Sequence, residues 1–173
     1  NLKQNSELEC FQINNKIYYY KQLYKYVCNI YTYLLAENKD RKPVIIYGHK
    51  DIYVLASFLA CSFAGCAYVP IDVSVGEERK KYIINLLKPN IIIDKNIENI
   101  MDNENYTDIN EIFMKPDDLY YIIFTSGSTG NPKGVKVLYK NEMFYSVAII
   151  SSIALFWGLI LIILEYLKRL NKY

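Results

Sequence analysis

Between Tyr121 and Val135 the chain reads YIIFTSGSTGNPKGV, an apolar run followed by a dense group of small polar residues. Thr125, Ser126, Ser128 and Thr129 offer hydroxyl donors. Gly127, Gly130 and Gly134 lack Cβ atoms, so backbone N–H groups can approach a ligand closely. Lys133 adds a cation on a flexible stem, and Pro132 is read as stiffening the turn. Together these residues suit a polyanion, above all a nucleotide triphosphate. A plain serine- and glycine-rich surface turn needs neither the apolar strand before it nor the lysine.

Two common phosphate motifs are excluded. In GxxxxGK[ST] a serine or threonine must follow the lysine to hold magnesium, but Gly134 follows Lys133. The dinucleotide fingerprint GxGxxG is absent as well. Other chemistry is thinly represented. His49, the single histidine, follows a strand and reads as a packing or capping residue, not a base. Asp72 with Glu77 and Glu78 reads as a strand-end aspartate followed by the acidic first turn of a helix. Cys10, Cys28, Cys61 and Cys66 form no CxxC pair, and one histidine is too few for a usual zinc set. They are expected to be free thiols in a cytosolic chain, and no catalytic residue or metal ligand is assigned.

The elements that must carry this loop follow from periodicity. Lys16–Tyr20 predicts a strand; then Leu23, Val27, Ile30 and Leu34 recur on one face of a helix. The run VIIYG after Pro43 predicts a buried strand. Asp51 is the expected N-cap of a helix over Ile52–Ala64, ended by Gly65, with Ala56, Ser57, Ala60 and Ala64 as a small packing face. CAYVPID predicts a second parallel strand, GEERKKYIINLLKPN a helix closed by Pro89, IIID a third strand and LYYIIF a fourth. Asn96–Lys115 reads as a polar connection with little structure. The tyrosines read as amphipathic cover, and Lys16, Lys21 and Lys25 as solvated.

Continuous apolar strands alternating with helices predict an α/β fold, a mainly parallel sheet with helices on both faces. At 173 residues and 52% hydrophobic the chain supports one real core, and a net charge of +2 argues against a broad nucleic-acid-binding face.

The motifs also carry a family resemblance. YIIFTSGSTGNPKGV is similar to the phosphate-binding core motif of adenylate-forming (acyl-AMP-forming) enzymes, with every position of TSGSTGxPKG met. FAGCAYVPIDVSVGEER, Phe63–Arg79, resembles the KAGxAYVPxD…ER motif of amino-acid-activating adenylation domains. YYYKQL, Tyr18–Leu23, resembles their TYxQL element, with Tyr19 where a capping threonine is expected. Within the superfamily, Tyr47–His49 and the Asp72-Val73-Ser74 step most resemble D-alanine–D-alanyl carrier protein ligases; peptide-synthetase adenylation domains are the alternative.

This resemblance implies ATP and Mg as reactants, with D-alanine and a D-alanyl carrier protein as partners. It implies phosphate contacts from Thr125, Ser126, Gly127, Ser128, Thr129, Gly130 and Lys133. An amino acid is activated as its adenylate and passed to a phosphopantetheine thiol, in teichoic acid D-alanylation. It extends over Lys16–Asn141, the N-terminal part of the family's large domain, so the chain alone is expected to be inactive.

The expected division is an adenylation part over 1–143, an apolar helix over 144–164 and a basic tail over 165–173. Phe144–Leu164 holds no charged residue and, as a helix, is long enough to cross a bilayer core of about 30 Å. A membrane anchor on a non-catalytic relic and a buried core helix compete with a shifted reading frame. The last is favoured, because the family pattern stops near Asn141.

Overall fold

The computed structural model describes residues 7–13, 15–126 and 132–141. Its central feature is a five-stranded sheet: β3 (Val44–Tyr47), β4 (Tyr68–Ile71), β5 (Ile92–Ile93), β6 (Leu119–Ser126) and β7 (Pro132–Leu138). The spatial order is β5-β3-β4-β6-β7. The first four are parallel, and β7 runs antiparallel to β6. Before them, β1 (Glu9–Ile13) and β2 (Lys16–Tyr19) form a separate antiparallel hairpin turning at Asn15, whose φ is 64°.

Strand alternation gives the sheet two apolar faces. Val44 and Ile46 face the helices α1 (Tyr20–Glu37) and α2 (Ile52–Ala64), in a core with Val27, Ile30, Leu34 and Ala60. Ile45 and Val69 face the other way, against Ile83 of α3 (Glu77–Leu87) and Ile122 of β6. Helices therefore cover both faces, as the apolar strand runs predict.

Leu23, Val27, Ile30 and Leu34 are all buried on α1. Tyr19 stands at its N-cap without a side-chain bond, as the missing threonine anticipates. Asp51 holds the N-cap position of α2, but its side chain makes no capping bond either. Its main-chain carbonyl instead accepts from Val54 N–H at 3.2 Å and Leu55 N–H at 3.4 Å. At the other end of α2, Gly65 is left-handed at φ 69°, and an added Cβ would approach Phe113 at 3.1 Å. All four cysteines are free, and Cys28, Cys61 and Cys66 are buried.

Beyond β1, which was not anticipated, three features depart from the sequence reading. β7 replaces the expected turn, because its alternating polar residues become a strand only by pairing with β6; Pro132 is its first residue, where no ladder donor is required. The connection after β5 has more structure than expected, with a 3₁₀ turn at Lys95–Ile97, a short α4 (Glu98–Met101) and buried Met101 and Met114. Lys25 is not simply solvated, since its ammonium lies 2.6 Å from Glu104 Oε1 and 3.8 Å from Asp102 Oδ1.

Among the described residues no helix is long and apolar enough to cross a membrane. The apolar run 144–164 and the tail 165–173 lie outside them.

Candidate functional site

The chain leaves β3 through α2 on one face of the sheet and leaves β4 through α3 on the other. Where neighbouring connections part in this way, a crevice opens at the carboxyl ends of the strands, the usual ligand position in α/β sheets. His49 follows β3 there, Asp72 follows β4, and Thr125 and Ser126 end β6.

The ends of β3 and β4 are tied together. His49 Nδ1 stands 2.6 Å from Asp72 Oδ2, where a protonated Nδ1 donates to the carboxylate. Asp72 Oδ1 accepts from the Ser74 N–H at 2.8 Å, turning the chain towards α3. Hydrogen bonds from Ser74, then from His49, hold the Asp72 carboxyl below the usual carboxylate range. This is the strand-end role read from sequence, though the pairing with His49 was not foreseen. Gly48, the residue after β3, is tightly packed, for a Cβ there would meet the Val54 side chain unless that side chain moved. Tyr53 Oη donates to the Tyr47 carbonyl at 3.2 Å, and Tyr47 Oη to the Val73 carbonyl at 3.3 Å.

Thr125 and Ser126 are the exposed last residues of β6. Lys133 is the exposed second residue of β7, directly opposite Thr125, while Ser126 pairs with Pro132. Opposed residues of an antiparallel pair share a face, so the Thr125 hydroxyl and the Lys133 stem project together. Tyr121 lies on that same face and meets the Tyr68 ring, which stacks on Phe58 of α2. Phe124 and Ile122 lie on the α3 face, where a Cβ on Gly134 would come within 3.1 Å of Ile122 Cγ2 and 3.2 Å of Phe124 Cζ. Gly134 therefore serves strand packing, a use distinct from ligand approach. Gly127, Ser128, Thr129 and Gly130 lie outside the described residues.

Arg79 is the last residue of the Phe63–Arg79 motif. Its Nη2 donates to the Phe124 carbonyl at 3.0 Å, immediately before Thr125. The two residues are 45 positions apart, a contact that no local pattern signals.

Among the described residues this sheet end bears the Thr125 and Ser126 hydroxyls, the Lys133 ammonium, the Arg79 guanidinium and the Asp72 carboxylate. The hydroxyls and cations at the end of β6 suit an anionic ligand. A cavity of about 580 Å³ on the His49 side is lined by Phe11, Ile13, His49, Asp51, Val54 and Phe58 among others; Thr125 and Lys133 are not in its wall.

The model of the AMP-binding enzyme family matches residues 1–159. The chain belongs to that family. The match extends past Asn141 into the apolar run.

A D-alanine–D-alanyl carrier protein ligase of Staphylococcus haemolyticus is 39% identical over 132 residues, covering 69% of this chain and 27% of that protein. The corresponding ligase of Staphylococcus epidermidis is 37% identical over 134 residues, covering 70% of this chain and 27% of that protein. The chain thus spans about a quarter of the length of these curated relatives.

Among solved structures, apo MatB from Rhodopseudomonas palustris superposes with a TM-score of 0.73 at 18% identity, over 87% of this chain and 35% of MatB. VinN with 3-methylaspartate gives a TM-score of 0.71 at 16% identity, over 87% of this chain and 49% of VinN. At such identities the likeness concerns the fold. It agrees with a mainly parallel α/β architecture for this AMP-binding family member.

Proposed function

We propose that this chain carries the ATP-phosphate site of a ligase that activates D-alanine as D-alanyl-AMP. The acyl group then passes to the phosphopantetheine thiol of a D-alanyl carrier protein, for teichoic acid D-alanylation. The observation that carries the reading is the juxtaposition of Thr125 and Lys133 at the open end of a parallel sheet. The relatives named D-alanine–D-alanyl carrier protein ligase favour this substrate over those of peptide synthetases.

In the first half-reaction the D-alanine carboxylate attacks the α-phosphorus of ATP, and the bond to the β-phosphate oxygen breaks to release pyrophosphate. Thr125, Ser126, Gly127, Ser128, Thr129 and Gly130 supply hydroxyl and N–H donors to the β- and γ-phosphates. Lys133 balances the charge that grows on the leaving group. The exposed threonine and serine oxygens with the lysine form a donor set fitted to phosphate and its hydrated cation. Mg²⁺ supplies further charge neutralisation when it arrives with the nucleotide.

On this reading residues 1–143 are the adenylation part, 144–164 an apolar segment and 165–173 a basic tail. An ATP-consuming ligase of this kind works in the cytoplasm.

Isothermal titration of the 173-residue chain with Mg·pyrophosphate tests the site. Saturable one-to-one binding is expected, and its absence refutes the phosphate assignment. Because the chain spans only about a quarter of the length of the matched ligases, exchange of labelled pyrophosphate into ATP by these 173 residues is expected to stay at background with D-alanine present.

A further inference from the structure

We propose that Arg79 is a positioning residue for the phosphate-contacting end of β6, holding Phe124 where the ladder to β4 gives out. The proposal rests on the reading that Thr125, Ser126 and Lys133 meet phosphate.

The need for such a clamp arises in β4. Val44 N–H bonds the Ala67 carbonyl and Gly48 N–H bonds the Ile71 carbonyl, at 2.8 and 3.1 Å, so these odd-numbered positions address β3. Alternation turns Pro70 towards β6, and proline has no N–H to offer. A proline inside a central strand is uncommon for this reason. The recorded pairing of β4 with β6 is one residue pair, Tyr68 with Tyr121. Three residues farther along each strand stand Ile71, the last of β4, and Phe124. Thr125 and Ser126 thus follow the point where β4 stops supporting β6 on that side.

Arg79 supplies a donor there. Its Nη2 reaches the Phe124 carbonyl at 3.0 Å from the first turn of α3. A guanidinium donor makes this a charge-assisted bond, stronger than a neutral one. The base of the clamp is well anchored. Ile83 of α3 is buried against Ile45, Val69 and Ile122, and the neighbouring Lys80 ammonium lies 3.7 Å from the Tyr47 ring centroid. Arg79 therefore links a packed helix to the peptide just before Thr125. On its other edge β6 is carried by β7, which holds Lys133 opposite Thr125. Between them, clamp and ladder set where the hydroxyl and the ammonium stand, and small displacements of such groups weaken phosphate binding strongly.

The test uses the full 173-residue chain as wild type, Arg79→Ala and Arg79→Lys. Lysine keeps the charge and most of the stem but not the planar fork, so it serves if the alanine variant folds poorly. Amide hydrogen exchange is read at residues 125 and 126, with Ile45 and Val69 as internal controls. Mg·pyrophosphate affinity is measured by calorimetry on the same samples.

Arg79→Ala is expected to speed exchange at 125 and 126 by about tenfold and to weaken pyrophosphate binding about tenfold, with the controls unchanged. Arg79→Lys should fall between. Wild-type binding with unaltered exchange and affinity in both variants overturns the clamp while leaving the phosphate reading intact. A wild-type chain that binds no pyrophosphate overturns that reading, and with it the purpose assigned to Arg79. Exchange that rises equally at Ile45 and Val69 also overturns the proposal, since it marks a general loss of stability.

Discussion

Thr125 and Lys133 face each other across the β6–β7 ladder, an exposed hydroxyl opposite an exposed ammonium. Their separation in sequence is bridged by pairing, so neither depends on the other's rotamer for its place. Lys133→Ala is expected to weaken Mg·pyrophosphate binding about tenfold or more, because a charge-assisted contact to phosphate is lost. Its thermal midpoint should hardly move, since exposed substitutions away from packing are usually neutral within about 0.5 kcal/mol. Calorimetry and a melting curve on the same sample separate the two effects. A large fall in melting temperature with unchanged affinity contradicts the assignment.

Gly48 makes a prediction about the crevice floor. A methyl group at this position meets Val54 Cγ2 at 2.4 Å and Tyr53 Oη at 2.6 Å. Tyrosine can swing its hydroxyl aside, but the β-branched valine is stiff. Gly48→Ala should cost about 1–3 kcal/mol, the usual range for overpacking. Adding Val54→Ala should recover part of that loss. Urea denaturation of both variants checks the coupling, and a double mutant no more stable than the single one contradicts this steric account.

Much of this fold was readable from local pattern, and the reason is visible in particular residues. β3 is apolar on both faces because helices cover both, so VIIY marks it without knowledge of its partners. The bounds of α2 follow from Asp51 and Gly65, although the Asp51 side chain turned out not to cap. β7 could not be read this way, for Lys133, Val135 and Lys136 are exposed and nothing in their order announces a strand. Of the β1–β2 hairpin, β2 was legible in Lys16–Tyr20, whereas β1 was missed for the same reason as β7, its burial pattern being largely exposed. At the site, the residue types of the phosphate loop were legible, whereas the Thr125–Lys133 opposition, the Arg79 clamp and the His49–Asp72 pair depend on tertiary assembly. The central phosphate-loop residues Gly127–Gly130 lie outside the described residues.

Asp72 gives a pH dependence with a definite sign. Its carboxyl is held below the usual range by Ser74 and then His49. Such a group adds stability that is fully present above the ordinary carboxylate value, about 3.9, and is lost as pH falls through the lowered folded value. Asp72→Asn should therefore melt below wild type at pH 7, with the gap closing as pH drops below about 4. Melting curves from pH 3 to 7 provide the measurement. A gap that does not narrow between about pH 4 and pH 3 would mean the carboxylate is not what the fold stabilises.

Asn29 tests how the long connection is fastened. Its buried Nδ2 donates to the Met101 carbonyl at 2.9 Å, the Asn103 carbonyl at 3.0 Å and the Lys25 carbonyl of its own helix at 3.1 Å. One amide thus ties α1 to the segment returning from β5 to β6, on the same side as the Lys25–Glu104 ion pair. Asn29→Leu leaves the buried Met101 carbonyl without that donor and should cost about 1–3 kcal/mol. Lys25→Ala removes only an ion pair whose carboxylate partner is exposed and should cost clearly less. Limited proteolysis should then find cleavage between residues 98 and 112 accelerated far more in Asn29→Leu than in Lys25→Ala. Equal cleavage in the two variants would place the fastening in the ion pair, against the difference in burial between the two contacts.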